Sequence, residues 1–188
     1  HPNLATSYNN LSTIYQALDQ LDRALAYQEK AIKIQEAVLD KNHPDLARSY
    51  NNLATIYQAL GQHDRALEYQ EKTLKIYEAV LDKNHPDLAQ SYNNYSKIYL
   101  SMGKFEESLE YQEKARRIIE KSLPENHPLA ADSYINLALI LKSVGRLDEA
   151  LDYGKKSVEI LKKLLPSDNP RLKSATEFVG LIRSIIGK

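Results

Sequence analysis

One stretch of the chain decides its fold: residues 43–61 read HPDLARSYNNLATIYQALG. Between Leu46 and Tyr57 the apolar side chains recur at steps of three and four residues, the pattern of a helix with one apolar face. Pro44 suits the first helical turn, where its missing N–H is not needed. Gly61 suits the residue that follows a helix, because glycine tolerates the left-handed backbone conformation. The stretch therefore predicts one amphipathic helix, which we call helix A.

A second periodic run, helix B, extends from Ala66 to Leu81 and leads into a polar turn at residues 82–84. We expect Asp64 to be its N-cap, because a carboxylate accepts hydrogen bonds from the free N–H groups of a first turn. The predicted unit is therefore helix A, a short turn, helix B and a second short turn.

This unit is repeated along the chain. The dipeptide His-Pro opens each copy: it occurs at His1, His43, His85 and His127, and Asn169-Pro170 falls in step. The spacing is 42 residues throughout, and the first two copies agree at 33 of 42 positions. Neither helix can bury its apolar face within one copy, so neighbouring copies must stack into a solenoid with a continuous core. We predict one solenoid domain of four units and a further helix A, with the bounds 1–42, 43–84, 85–126, 127–168 and 169–188.

The composition excludes several classes of function. With 25 basic and 25 acidic residues, the chain lacks the basic excess by which nucleic-acid-binding proteins neutralise phosphates, so we expect no nucleic-acid partner. There is no cysteine, so disulfides and thiolate metal sites are excluded. No apolar run approaches the ~18 residues of a membrane span. The chain begins in mid-pattern, and we expect it to be a piece of a longer array. The missing cysteines and signal segments favour the cytoplasm.

The spacing Tyr50-x2-Leu53-Ala54-x2-Tyr57, followed by Ala66 in helix B, resembles the tetratricopeptide repeat. The 42-residue length, with a His-Pro start and an Asn-Asn-Leu-Ala core, is similar to the repeats of kinesin light chains. The resemblance implies an all-α fold, a right-handed α-solenoid superhelix of antiparallel helix pairs. It also implies a scaffold that binds a protein or peptide, with no cofactor and no catalysis.

The chain departs from the family pattern at one position of helix B. The family usually has an aromatic residue four places after the helix-B alanine, where this chain has Gln28, Gln70 and Gln112. In each case a tyrosine stands one place earlier. We expect a shifted aromatic contact and the same fold.

Asparagine pairs in the middle of helix A are the candidate binding residues. They are Asn9-Asn10, Asn51-Asn52 and Asn93-Asn94, and Ile135-Asn136 keeps the second member. Asparagine costs on the order of half a kcal/mol relative to alanine inside a helix. Its amide can both donate and accept, which suits it to pairing with a peptide backbone. Because helix A lines the concave face in the family, the resemblance implies an asparagine ladder across a groove. The alternative is that these amides only tie adjacent helices together, or persist from recent duplication.

The resemblance maps further groove-facing positions onto the chain. They are Arg48, Thr13, Thr55, Lys97, Gln58, Leu100, Asp132, Leu139 and Lys142. Three cations against one carboxylate favour a neutral or weakly acidic extended peptide. The clamp with which some relatives hold chaperone tails is not reproduced, since Asn9 and Thr13 stand in its place.

Other conspicuous residues favour structural roles. Eleven of the 13 tyrosines recur at three positions on the apolar faces, such as Tyr50, Tyr57 and Tyr69, and we expect core packing rather than a stacking platform for bases or prolines. Equivalent histidines lie ~8–10 Å or more apart in stacked helices, too far to share a zinc ion that needs ligands at ~2 Å. We expect them to begin helices, and we expect no metal site. No nucleophile–base set or phosphate loop emerges, so no catalytic residue is assigned.

The last helix carries an apolar set that we predict to be a self-association patch, forming a homodimer unless a further helix B covers it. Its members are Phe178, Leu181, Ile182, Ile185 and Ile186. The leading functional hypothesis is a peptide-binding scaffold. The alternatives are a regulatory arm of a larger multidomain protein, and an engineered or structural array without a natural ligand.

Overall fold

The computed structural model describes residues 2–187, and within them it contains nine α-helices and no strand. The helices are α1 Pro2–Ala17, α2 Leu21–Val38, α3 Pro44–Ala59, α4 His63–Val80, α5 Pro86–Ser101, α6 Phe105–Ser122, α7 Pro128–Ser143, α8 Leu147–Leu164 and α9 Pro170–Ile186. The all-α prediction is confirmed. None of these helices is long and apolar enough to cross a membrane.

The helices belong to two compact units, His1–Lys83 and Asn84–Lys188. In the first unit, α1 packs against α2 and α3 against α4, and α2 contacts α3. In the second, α5 packs against α6 and α7 against α8, while α6 contacts α7 and α8 contacts α9. The odd-numbered helices are the predicted A helices and the even-numbered ones the B helices. The prediction that all repeats form one domain stays a prediction.

The residue before the first proline caps four of the A helices, α3, α5, α7 and α9. The Nδ1 atoms of His43, His85 and His127 each accept a hydrogen bond from the backbone N–H two residues later, at 3.1 Å. Asn169 does the same for α9 with its Oδ1 atom, at 3.0 Å. His43, His85 and His127 are therefore helix-start residues, as predicted, and His1 lies outside the described residues.

Left-handed residues end three A helices and make the A–B turns short. Gly61, Gly103 and Gly145 have φ angles of 71°, 72° and 80°. The first turn has Asp19 at the same place, with φ 57°. A residue with a Cβ atom is disfavoured there, so the first turn is less stable than the others.

The predicted N-cap of helix B is wrong by two residues. The N-cap position of α4 is Gln62, whose side chain makes no capping bond, and the helix begins at His63. Asp64 lies inside the first turn, where its charge interacts favourably with the helix dipole.

Tyrosines join the two helices of each hairpin. The ring of Tyr69 in α4 lies 5.8 Å from that of Tyr50 and 5.6 Å from that of Tyr57 in α3. The ammonium group of Lys72 lies 4.4 Å from the Tyr69 ring centroid, a cation–π contact. Tyr50 and Tyr57 are buried. The packing role predicted for these tyrosines is confirmed.

Candidate functional site

The second asparagine positions of the A helices differ in exposure. Asn10 is exposed, and Asn52 and Asn136 are half-buried. Within residues 2–187 the side-chain amides of these three make no hydrogen bond. Asn94 differs, because it is buried and its Oδ1 accepts a bond from Gln90 Nε2 at 3.2 Å. Three of the four predicted ladder amides can therefore still pair with another molecule.

The first asparagine of each pair is used inside the protein. In the first unit, Gln28 of α2 donates through Nε2 to Asn9 Oδ1 at 2.8 Å and to the Ser49 carbonyl oxygen at 3.0 Å. Asn9 Nδ2 donates in turn to Ser49 Oγ at 3.0 Å. One side-chain network thus connects α1, α2 and α3.

The second unit repeats this network. Gln112 of α6 donates through Nε2 to Asn93 Oδ1 at 2.6 Å, to Ser133 Oγ at 3.1 Å and to the Ser133 carbonyl oxygen at 3.3 Å. In the first unit, Gln70 of α4 likewise donates to Asn51 Oδ1 of α3, at 3.3 Å. These amides are engaged in packing: Asn93 is buried, and Asn9 and Asn51 are half-buried. The prediction that they also bind a ligand stays a prediction.

The glutamines of helix B are the sequence signal for this network. Gln28, Gln70 and Gln112 are fully buried, at the position where the family usually has an aromatic residue. A buried glutamine needs hydrogen-bond partners, because an unpaired amide in the interior costs about 1–3 kcal/mol. The buried glutamine and the first asparagine of each pair both recur every 42 residues, which indicates that they belong to one network.

Polar side chains around the second asparagines are held by local bonds. Thr55 Oγ1 donates to the Asn52 carbonyl oxygen at 2.7 Å and accepts from Gln16 Nε2 of α1 at 3.2 Å. Thr13 is exposed and donates to the Asn9 carbonyl oxygen. Arg48 is exposed and pairs with Asp45 at 3.0 Å. In the first unit the predicted groove residues therefore form a neutral surface of amides and hydroxyls.

The second unit presents a more basic and more apolar surface. Lys97 is exposed on α5, and the Lys142 ammonium group lies 5.9 Å from the Phe178 ring centroid. The carboxylate of Asp132 is neutralised by Arg171 of α9. The remaining mapped residues are Gln58 and Leu100, which are half-buried, and Leu139, which is exposed.

The pKa shifts of the tyrosines arise from packing. Burial raises the pKa of Tyr134 to about 12, and the nearby Glu120 carboxylate adds to the effect. Burial also raises the pKa of Tyr50, whose hydroxyl donates to Glu36 at 2.7 Å. The neutral Tyr50 hydroxyl therefore joins α3 to α2 through its hydrogen bond to the Glu36 carboxylate. Across the part of the chain that the structure describes, no group of three or more histidine and carboxylate side chains is placed to hold a metal ion.

The self-association patch on α9 has fewer exposed members than predicted. Ile182 is fully buried with Leu137 and Leu141 of α7, and Phe178 packs against the same cluster. These two therefore belong to the core, because the repeat places them on the side of α9 that faces α7. Leu181, Ile185 and Ile186 remain 48%, 39% and 41% exposed.

Comparison with known proteins agrees with this architecture. The tetratricopeptide repeat family model matches residues 3–79, 50–121 and 87–163. No curated protein sequence matches the chain significantly. Among solved structures, a Podosopora anserina protein of kinesin light chain type with nearly identical TPR-like repeats is 28% identical, with a TM-score of 0.83 over 100% of this chain and 89% of that one.

Two further structures are similar. A variant form of the same Podosopora anserina protein is 27% identical, with a TM-score of 0.78 over 98% of this chain and 95% of that one. BtubC (BKLC) from P. vanneervenii is 23% identical, with a TM-score of 0.85 over 99% of this chain and 74% of that one, which supports the fold alone. Together with the repeated helix pairs, these matches establish that the chain belongs to the tetratricopeptide repeat family and has the all-α solenoid fold of its kinesin-light-chain-like members.

Proposed function

We propose that the chain is a protein-interaction scaffold whose A helices bind an extended peptide segment of a partner. Tetratricopeptide repeats generally mediate protein–protein interaction and are typically non-enzymatic. The observation that carries the finer proposal is the contrast within the asparagine pairs of α1 and α3. Asn9 is bound into the framework, whereas Asn10 one residue later is exposed with an unengaged amide.

The chemistry of these amides favours backbone recognition. Each side-chain amide of Asn10, Asn52 and Asn136 can donate and accept, matching the N–H and C=O groups of an extended peptide. Such pairing does not depend on the side chains of the ligand. The exposed Lys97 and the partly exposed Lys142 add positive charge in the second unit, which favours a neutral or weakly acidic ligand.

The proposal is tested with peptides selected from a display library on the immobilised chain. The double variant Asn10→Ala/Asn52→Ala should weaken a selected peptide on the order of 5- to 150-fold, because two hydrogen bonds of about 0.5–1.5 kcal/mol each are lost. The Tm should not fall and should rise by about 2–4 °C, because these amides make no hydrogen bond within the described fold and each change to alanine gains about half a kcal/mol of helix propensity.

The matched control is Asn42→Ala, an exposed asparagine in the turn after α2. This change should affect neither affinity nor stability. Equal affinity of the double variant and the unmodified chain would refute the proposed role of the second asparagines.

A second interaction is proposed for α9, on the exposure of Leu181, Ile185 and Ile186. Three exposed aliphatic side chains at the end of one helix favour self-association into a homodimer. Light scattering of the unmodified chain and of Leu181→Ser/Ile185→Ser tests this. A monomeric mass for the unmodified chain at high concentration would exclude it.

A further inference from the structure

The amide network occupies three positions that depend on one another. Gln112 is a buried donor, and Asn93 and Ser133 supply its acceptors from the two flanking A helices. The first unit contains the same three residue types at Gln28, Asn9 and Ser49. Each network lies where a helix B meets its own helix A and the next one.

At the junction of α8 with α9 all three residue types change together. The residues 42 positions after Gln112, Asn93 and Ser133 are Gly154, Ile135 and Ala175. Gly154 and Ala175 are buried, and Ile135 is half-buried. The polar network is thus replaced as a whole by an apolar set.

The glycine allows α9 to approach α8 closely. A Cβ atom built on Gly154 would lie 2.9 Å from Cγ2 of Val179 in α9, closer than two carbon atoms can pack. Valine is β-branched and cannot easily rotate its methyl group away. The larger glutamine side chain of the other junctions therefore cannot fit between α8 and α9 as they stand.

A junction that combines residues of the polar set with residues of the apolar set is unfavourable, whichever set supplies the helix-B residue. A glutamine opposite Ile135 and Ala175 would bury an amide that lacks the side-chain acceptors of the other junctions. A glycine opposite Asn93 and Ser133 would leave their buried polar atoms without the donor that now reaches both.

We propose that these three positions form a junction code that selects which helix A docks on which helix pair. Gln–Asn–Ser joins an internal helix A to the hairpin before it, and Gly–Ile–Ala directs α9 to α7 and α8. In an array of similar units this distinction keeps α9 from docking where an internal helix A belongs. The inference goes beyond the proposed function, because it requires no ligand.

Hydrogen exchange of the full chain, measured by mass spectrometry, tests the code. Gly154→Gln should make the backbone amides of α9 exchange on the order of 10- to 100-fold faster, because overpacking weakens docking of that helix. Adding Ile135→Asn, Ala175→Ser and Val179→Ala, the last of which removes the methyl group that the new Cβ atom would meet, to Gly154→Gln should restore protection of α9 to within about threefold of the unmodified chain.

Gly180 provides the matched control on α9 itself. A Cβ atom there meets nothing within 4 Å, so Gly180→Gln should leave the protection of α9 unchanged. If Gly154→Gln does not fold, Gly154→Ala is used in its place, and Val179→Ala should relieve its effect. The code is refuted if either Gly154 variant leaves α9 fully protected. It is also refuted if the variant with all four changes, or the pair Gly154→Ala/Val179→Ala that replaces it, exchanges as fast as the single Gly154 variant.

Discussion

Replacing Gln112 with leucine probes the amide network most simply. The side chain is fully buried, and its Nε2 serves Asn93 of α5 and Ser133 of α7 at once. Leucine is similar in size and apolar, so the change removes the hydrogen bonds without opening a large cavity.

The expected cost follows from the groups left behind. Asn93 Oδ1 and the Ser133 oxygens are buried, and an unsatisfied buried polar group costs about 1–3 kcal/mol. Part of this cost is offset, because the substitution also removes Gln112 Oε1, which is buried and accepts no bond from any described residue. We expect a net loss of about 1–3 kcal/mol, which for a chain of this size lowers the Tm by about 2–10 °C.

A double-mutant cycle distinguishes the network from ordinary packing. Asn93→Leu alone should also destabilise, whereas Gln112→Leu/Asn93→Leu should cost clearly less than the sum, by about 1 kcal/mol or more. Thermal and urea unfolding followed by circular dichroism measure all four proteins. Gln62→Leu, at an exposed glutamine without a capping bond, is the control and should leave the Tm unchanged. The reasoning would be refuted if the free-energy costs of the two single variants simply added up in the double variant, or if the Gln112→Leu protein were as stable as the control.

Three further outcomes follow from the structure. Asp19→Gly should raise the Tm by about 2–4 °C, because the left-handed backbone there costs a residue with a Cβ atom about 1 kcal/mol; a lower Tm would contradict this. His127→Ala should destabilise by about 1 kcal/mol in urea unfolding, whereas His127→Asn should not, since Asn169 caps α9 in the same way; equal loss in both would contradict the capping role. Burial and Glu120 raise the pKa of Tyr134 to about 12, so its proton stabilises the fold below about pH 10 and this contribution is lost as the pH rises to about 12. The difference in tyrosinate absorbance between the unmodified chain and Tyr134→Phe should therefore reach half of its full size near pH 12; a half-point near pH 10, the ordinary pKa of tyrosine, would contradict it.

The sequence predicted the helices well because their determinants are local. The apolar period between Leu46 and Tyr57 predicted α3, and the His-Pro dipeptide predicted where it begins. The start of α4 was predicted less accurately. Asp64 is a good capping residue by type, but the short turn after Gly61 requires the helix to begin before it.

The candidate site could not be predicted from the sequence alone, because it depends on how the helices pack. Asn51 and Asn52 are adjacent and identical in type, and only the position of Gln70 on the neighbouring helix shows which of them serves the framework. On α9, hydrophobicity alone did not distinguish Ile182, which fills the core, from Leu181, which is exposed. Both distinctions depend on how a helix is rotated against its neighbours, which a repeat spacing does not specify.

The most direct test of the binding proposal is the behaviour of the asparagine side-chain amides in NMR spectra during titration with a display-selected peptide. We predict that the amide signals of Asn10, Asn52 and Asn136 shift with the bound fraction, whereas those of Asn9 and Asn93 stay in place. Shifts confined to Asn9 and Asn93, or no change at any of the five during saturable binding, would contradict the proposal that the second asparagine of each pair binds the ligand.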